Sequence, residues 1–280
     1  MRARISSRII FILVILALGG CNLQRNMLYY PDSYLPSQEA MAARGMAFWP
    51  NGPDNYRGFI SRVQADKKYK GTIVVFHGNA GTAADRTYYV STLSPLGYRV
   101  ILAEYPGYGG RKGTPGEEVF RNDAKETVRL ASEKYGGPLF LLGESLGCGV
   151  AASIAKGSPV KIDGLILITP WDTLLSVAKE HFPWFPVRLF LRDKYDNIGN
   201  LREYKGRIAV IGAEQDKIVP IHHAQALFAS LRGHKKMWTV PGAGHNNWPD
   251  MVELTWWQDI ADFMEGNPDS QPTRQDWDNN

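Results

Sequence analysis

At 280 residues the chain is long enough to bury the core of one large α/β domain. Its formal charge of +4 rests on Arg2, Arg4 and Arg8 at the extreme N-terminus, since removing these three from the 32 basic residues leaves 29 against 28 acidic ones. A near-neutral remainder gives no electrostatic case for a nucleic-acid partner, and only two cysteines, Cys21 and Cys148, exclude a disulfide framework.

The three arginines precede an apolar run, Ile9 to Leu18, that is short for a bilayer-spanning helix and leads into Gly19-Gly20-Cys21. Leu18-Gly19-Gly20-Cys21 resembles the lipobox of bacterial lipoproteins. That resemblance implies a signal peptide over residues 1–20, cleavage before Cys21, a diacylglycerol thioether on its sulfur, and attachment of the protein to a cell-envelope membrane. Asn22 rather than aspartate after the cysteine implies an outer-membrane destination. Residues 21–55 are rich in Tyr, Pro, Met and Arg without clear period, so they read as an arm joining the anchor to the domain, with the patch Met27 to Pro31 packed against the fold.

From residue 56 to 265 helix and strand patterns alternate, which predicts an α/β fold with a mostly parallel central sheet and helices on both faces. Arg57 to Val63 and the β-branched run Thr72 to Phe76 read as strands. The second runs into His77-Gly78-Asn79-Ala80-Gly81, and a glycine turn at the carboxyl end of a parallel strand puts backbone amides at the rim where ligands bind. The Asn79 amide is therefore a candidate oxyanion donor, with His77 a histidine held beneath it. A helix over Ala84 to Leu96, a strand over Tyr98 to Ala103, a rigid aromatic loop over Glu104 to Gly110 and a helix ending near Tyr135 follow.

Leu139 to Leu142 reads as a buried strand and Cys148 to Ala155 as a helix, with Gly143-Glu144-Ser145-Leu146-Gly147 between them. The G-x-S-x-G spacing places Ser145 on a strained turn, because flanking residues without Cβ atoms let strand and helix approach closely. Leu146 then offers a free N–H at a helix N-terminus, a second oxyanion donor. Cys148 reads as a small buried apolar residue.

After a strand over Gly164 to Thr169, the aromatic, proline-containing stretch 170–205 predicts a small helical cap shaping an apolar acyl pocket. The remaining elements are a strand over Arg207 to Gly212, the loop Ala213 to Pro220, a helix over His222 to Leu231, a strand over Lys236 to Val240, the loop Pro241 to Asn247 and a helix over Asp250 to Met264. Residues 266–280 read as a polar, disordered tail.

A serine nucleophile needs a base, and the base needs an acid to fix its tautomer. Asp216 and His245 each sit just past the end of a late strand, in the chain order Ser145, Asp216, His245 that a nucleophile elbow uses. Asp172, which also follows a strand, is the rival acid; His222, His223 and His234 are weaker as bases because none lies in the final strand-to-helix loop. No set of His, Cys or carboxylates has the spacing of a zinc site, so the chemistry is expected to need neither metal nor cofactor.

The blocks VVFHGNAG, EYPGYGG, LLGESLGCGVA, AEQDKIVP and PGAGHNNW together resemble the alpha/beta-hydrolase superfamily, in the branch of abhydrolase-domain serine hydrolases related to prolyl oligopeptidase catalytic domains and palmitoyl-protein thioesterases. The resemblance implies the alpha/beta-hydrolase fold, Ser145 as nucleophile, His245 as base, Asp216 as acid, and the Asn79 and Leu146 amides as the oxyanion hole. Glu104, where such relatives usually carry aspartate, is expected to affect loop packing. The expected activity is cleavage of carboxylic esters or thioesters with apolar, lipid-like acyl groups through an acyl-enzyme; the alternatives are a peptidase of the prolyl-oligopeptidase type and a non-catalytic envelope lipoprotein. Oligomeric state stays open.

Overall fold

Strands whose side chains are apolar at every position must be covered on both faces, and the central strands here alternate between two apolar layers. The computed structural model describes residues 24–62 and 68–267; the expected signal peptide, Cys21 and all but the first two residues of the expected tail lie outside them. Among the described residues ten strands occur: β1 (Tyr30–Pro31), β2 (Met46–Pro50), β3 (Tyr56–Ser61), β4 (Gly71–Phe76), β5 (Ala80–Gly81), β6 (Tyr98–Ala103), β7 (Leu139–Glu144), β8 (Gly164–Ile168), β9 (Arg207–Ala213) and β10 (Lys235–Val240). Eight form one sheet in the order β10-β9-β8-β7-β4-β6-β3-β2, parallel throughout except where β3 pairs with β2 and β6; β1 and β5 make a separate parallel pair.

The helices are α1 (residues 24–28), α2 (Gln38–Ala43), α3 (Tyr88–Leu93), α4 (Glu117–Tyr135), α5 (Leu146–Ala155), α6 (Leu174–His181), α7 (Val187–Phe190), α8 (Asn197–Leu201), α9 (Ile221–Ser230) and α10 (Leu254–Glu265). On one face Val74, Phe76, Leu139 and Leu141 pack with side chains of α4, α5, α8 and α9. On the other Ile73, Val75, Phe140 and Leu142 meet those of α2, α3 and α10. The period of two distributes each strand between both layers, and burying each such side chain stabilises the fold by about 1.5–3 kcal/mol.

Three expectations are corrected. The domain does not begin at residue 56: β2 is the sheet's edge strand, Tyr29 and Trp49 are buried, and β1 pairs with β5 at the rim. Short strands without a periodic apolar pattern hid this part of the arm. The helix expected over Ala84 to Leu96 divides into a 3-10 turn, Ala83–Arg86, and the short helix α3. The stretch 170–205 holds α6, α7 and α8 between β8 and β9, but it is not wholly an overlying cap, because Trp171, Tyr195 and Leu201 are buried in the layer that contains α5. Among the described residues no helix is long and apolar enough to cross a membrane.

Candidate active site

Ser145 joins β7 to α5 with φ 51° and ψ −113°, a conformation that a side-chain-bearing residue adopts only under constraint. The flanking glycines supply it. A Cβ on Gly147 would overlap the Phe76 carbonyl at the end of β4, and one on Gly143 would lie 2.5 Å from the Gly147 oxygen. The Ser145 N–H donates to the Ile168 carbonyl of β8 at 2.9 Å, pinning the turn from the neighbouring strand. Ser145 is 8% exposed.

Beneath the turn, Glu144 accepts from Arg86 Nε at 3.2 Å and from the Tyr88 and Tyr89 hydroxyls at 2.5 and 2.8 Å. Burial opposes its charge, but Arg86 and the two hydroxyls outweigh that and hold the carboxyl below the usual range. The Cys148 thiol, three residues beyond Ser145, donates to the Gly143 and Ile168 carbonyls, and burial pushes it well above the normal thiol range. It is a packed residue of the elbow helix, as its composition suggested.

The loops after β9 and β10 meet over Ser145. His245 Nε2 lies 2.9 Å from Ser145 Oγ, and His245 Nδ1 lies 2.6 Å from Asp216 Oδ2. Asp216 Oδ1 accepts the Ile218 and Val219 N–H groups, each at 2.8 Å, so the carboxylate cannot rotate without losing two bonds. A carboxylate facing Nδ1 requires the proton there, which leaves the Nε2 lone pair for the serine hydroxyl. The Gln215 N–H donates to the Ala243 carbonyl at 2.7 Å and ties the loop of Asp216 to the loop of His245. Asp172 does not reach this group: its Oδ1 lies 2.9 Å from His223 Nδ1.

Leu146 follows Ser145, and Asn79 lies one residue beyond Gly78 in the loop beside it. Leu146 is the first residue of α5, so its N–H is one that a helix leaves without an internal partner. The loop before β5 passes Ser145 closely, since a Cβ on Gly78 would lie 3.8 Å from Ser145 Cβ. Asn79 is held from outside the sheet: its carbonyl accepts the Tyr30 N–H at 2.9 Å and the Tyr108 hydroxyl at 2.8 Å, and its side-chain Nδ2 donates to the Leu28 carbonyl at 3.0 Å. His77 is buried below, its Nδ1 at 2.8 Å from the Gly78 carbonyl and its Nε2 at 3.0 Å from Glu104 Oε1. Glu104 also accepts the Ala83 and Tyr105 N–H groups, so its extra length relative to aspartate spans the two loops.

Sequence reasoning missed the Arg86, Tyr88 and Tyr89 support of Glu144 and the arm's grip on Asn79. Neither had a motif; the adjacent aromatic pair Tyr88-Tyr89 was the sole signal for the first, and Tyr29-Tyr30-Pro31 for the second.

The sheet order, the serine turn and the Ser-His-Asp contacts define a hydrolase of the alpha/beta type. Comparison with known proteins agrees. A model of the serine aminopeptidase (S33) hydrolase family matches residues 67–192. The uncharacterized protein Rv2307c of Mycobacterium tuberculosis is 31% identical over 82% of this chain and 83% of its own length. Lysophosphatidylserine lipase ABHD12 of Danio rerio is 30% identical over 58% of this chain and 49% of that protein. The Pyrococcus furiosus esterase Pf2001 shares the fold with a TM-score of 0.65 at 15% identity, over 85% of this chain and 98% of that one. The chain belongs to the alpha/beta-hydrolase superfamily. The family-model match covers Ser145 and ends before Asp216 and His245.

Proposed function

We propose that the protein is a serine hydrolase that cleaves carboxylic esters or thioesters of apolar acyl groups at a membrane surface. The observation that carries this reading is the pair of contacts on His245, 2.9 Å to Ser145 Oγ and 2.6 Å to Asp216 Oδ2. Ser145 Oγ attacks the acyl carbonyl as His245 Nε2 takes its proton, and Asp216 stabilises the imidazolium. The Asn79 and Leu146 amides receive the developing oxyanion. His245 then protonates the departing alcohol or thiol, and water, deprotonated by the same histidine, releases the acid from Ser145.

The apolar acyl group and the membrane setting are supported by the region from α6 to α7. Trp184 is 98% exposed and Leu189 80%, with Phe182 and Phe185 each 44% exposed beside them. Gln24, three residues after Cys21, bonds to the same region: its Oε1 accepts the Arg192 N–H at 2.7 Å and its Nε2 donates to the Asp193 carbonyl at 3.1 Å. A lipid on Cys21 would hold this aromatic surface against the bilayer, which agrees with the lipobox reading. The name of the ABHD12 relative points to single-chain phospholipids as one substrate of the right kind. A peptidase reading draws on the description of the matched family.

The test is hydrolysis of a p-nitrophenyl ester series from acetyl to palmitoyl, a lysophospholipid, and an aminoacyl anilide by protein lacking residues 1–21, beside Ser145→Ala. Ester turnover lost on the order of 10⁶-fold in the variant is expected. Anilide cleavage without ester cleavage would move the assignment to peptidase. Intact-mass analysis of the membrane-derived protein tests the anchor: a mature chain starting elsewhere than Cys21, or lacking the diacylglyceryl increment, refutes it.

A further inference from the structure

Among the described residues, one group of three metal-ligating side chains brings its donor atoms within 4.8 Å of one another: Glu180, His222 and His223. Glu180 lies in the last turn of α6, and the two histidines lie in the first turn of α9. The sequence offered no zinc spacing because the carboxylate is 42 residues from the first histidine and comes from another helix.

Three features mark this group as more than surface charge. Glu180 Oε2 is met by both His222 Nε2 and His223 Nε2, each at 2.9 Å. Donor atoms around a tetrahedral zinc, bound at about 2.0–2.2 Å, sit about 3.3 Å apart, so two edges of the polyhedron are already within a few tenths of an ångström. The remaining ligands can adjust, since the His222 side chain is 57% exposed and that of Glu180 42%. The third feature is His223, whose side chain is 5% exposed and whose other nitrogen, Nδ1, lies 2.9 Å from Asp172 Oδ1. A neutral imidazole has one N–H, and it faces two carboxylates here. With that proton on Nδ1, donated to Asp172, the Nε2 lone pair points at Glu180, a contact that either a second proton or a metal ion must bridge. A carboxylate behind a histidine is the usual outer support of a metal-bound imidazole.

We propose that Glu180, His222 and His223 bind one divalent transition-metal ion of the zinc type, with Asp172 orienting His223 and solvent completing the coordination. Two imidazoles and one carboxylate suit zinc, and the same donors take cobalt or nickel, rather than the all-oxygen preference of calcium or magnesium. The ion replaces the protons that otherwise lie between the imidazoles and Glu180. It takes no part in acyl transfer; it staples α6 to α9. The staple lies next to the acid loop, because His181 Nε2 bonds to the Ile218 carbonyl at 2.8 Å and the Ile218 N–H bonds to Asp216.

The experiment uses the untagged full chain in detergent micelles, stripped with chelator and titrated with Co²⁺ and Zn²⁺. One equivalent of Co²⁺ is expected to give the visible absorption of a low-coordinate cobalt site with imidazole ligands, displaced by Zn²⁺. Zinc at about 100 times its dissociation constant is expected to raise Tm by about 5–10 °C. Glu180→Ala and His222→Ala, both at exposed side chains, each weaken binding at least about 100-fold, while Asp172→Asn weakens it about 10- to 100-fold at unchanged stoichiometry. Ser145→Ala and His234→Ala bind as the parent does, which separates this site from the hydrolase reading. Absence of both the cobalt absorption and the zinc-dependent shift in folded protein would overturn the proposal, as would binding that survives Glu180→Ala and His222→Ala together.

Discussion

Replacing Asp216 by asparagine tests how the acid loop sets the base. Asp216 Oδ1 accepts two backbone N–H groups, from Ile218 and Val219, both at 2.8 Å, while Oδ2 faces His245 Nδ1 at 2.6 Å. In Asp216→Asn the amide oxygen keeps the two N–H donors, because turning the amide over would set two N–H groups against its own NH₂. The NH₂ therefore faces Nδ1 and donates to it, and the imidazole proton moves to Nε2. That nitrogen then donates to Ser145 Oγ instead of accepting from it. The geometry survives but the tautomer is wrong, and by analogy with the chymotrypsin-type triad the expected loss is about 10⁴-fold in kcat, or about 5.5 kcal/mol. Thermal stability should change little, since the hydrogen-bond number is preserved. Steady-state kinetics on the best p-nitrophenyl ester, with a melting curve for each variant, measures both. Asp172→Asn is the companion, expected to leave kcat within a few-fold because Asp172 faces His223 and not His245. Retention of kcat within tenfold in Asp216→Asn, or a large loss in Asp172→Asn, would refute this assignment of the acid.

Gly147→Ala should destabilise the fold by at least about 3 kcal/mol in urea unfolding, because the new methyl meets the Phe76 backbone carbonyl and neither strand nor helix can yield cheaply; a change below about 1 kcal/mol would contradict the close crossing. Glu144 has a lowered folded-state pKa against the ordinary 4.5, so its contribution to stability is fully present above that value and is lost as pH falls through the folded one. Urea midpoints measured below about pH 4.5 should therefore fall less steeply in Glu144→Gln than in the parent. Cutting residues 24–31 removes the Leu28 and Tyr30 bonds to Asn79, and kcat should fall about 10- to 100-fold with KM less affected; an unchanged kcat would show that the rim holds itself. Cys148 should resist alkylation in the folded protein and react after denaturation, as followed by mass.

What the chain spelled out was the part of the site that rests on local backbone. Ser145 was legible because its strain needs glycine on both sides within five residues, and Asp216 and His245 because each sits in the loop just past the end of a late strand. The sheet was legible for the same reason: Ile73 to Phe76 and Leu139 to Leu142 are apolar at every position, which only a doubly covered strand tolerates. The rest is long-range pairing. β1 is two residues long, and it becomes a strand only because Ala80 and Gly81 lie beside it. Asp172 and His223 are 51 residues apart and meet only in the folded chain, away from the Ser145–His245–Asp216 contacts; in the sequence each was a rival for a triad role. Distance along the chain hides such pairs because neither partner changes the local pattern.

The arm's position changes how the proposed oxyanion hole is understood. One of its two amides, Leu146, belongs to a helix that the sheet itself supports, whereas the other, Asn79, is held by bonds from Leu28, Tyr30 and Tyr108. The same arm reaches the segment after α7, where the Tyr29 hydroxyl donates to Asp193 at 2.6 Å and lies 3.0 Å from the Tyr195 hydroxyl. Asp193 Oδ1 in turn accepts the Glu117 N–H, and the Glu117 carboxylate accepts the N–H groups of Lys194 and Tyr195. Eight residues after the proposed lipid attachment point, the chain thus crosses from this network to the Asn79 loop. A membrane pull on the N-terminus would meet the Gln24 bonds to Arg192 and Asp193 first and Tyr29 next, and the buried Tyr29, wedged edge-on at 5.4 Å against Phe120 of α4, is placed to resist it. Tyr29→Phe keeps that wedge and deletes the two hydroxyl bonds, so it should lower Tm by about 2–6 °C, the effect of losing one charge-assisted hydrogen bond in a domain of this size. Tyr29→Ala, which also removes the wedge, should lower it further and reduce kcat with it. Equal effects from the two variants would mean that the ring carries no load and that the hydroxyl network alone holds the arm.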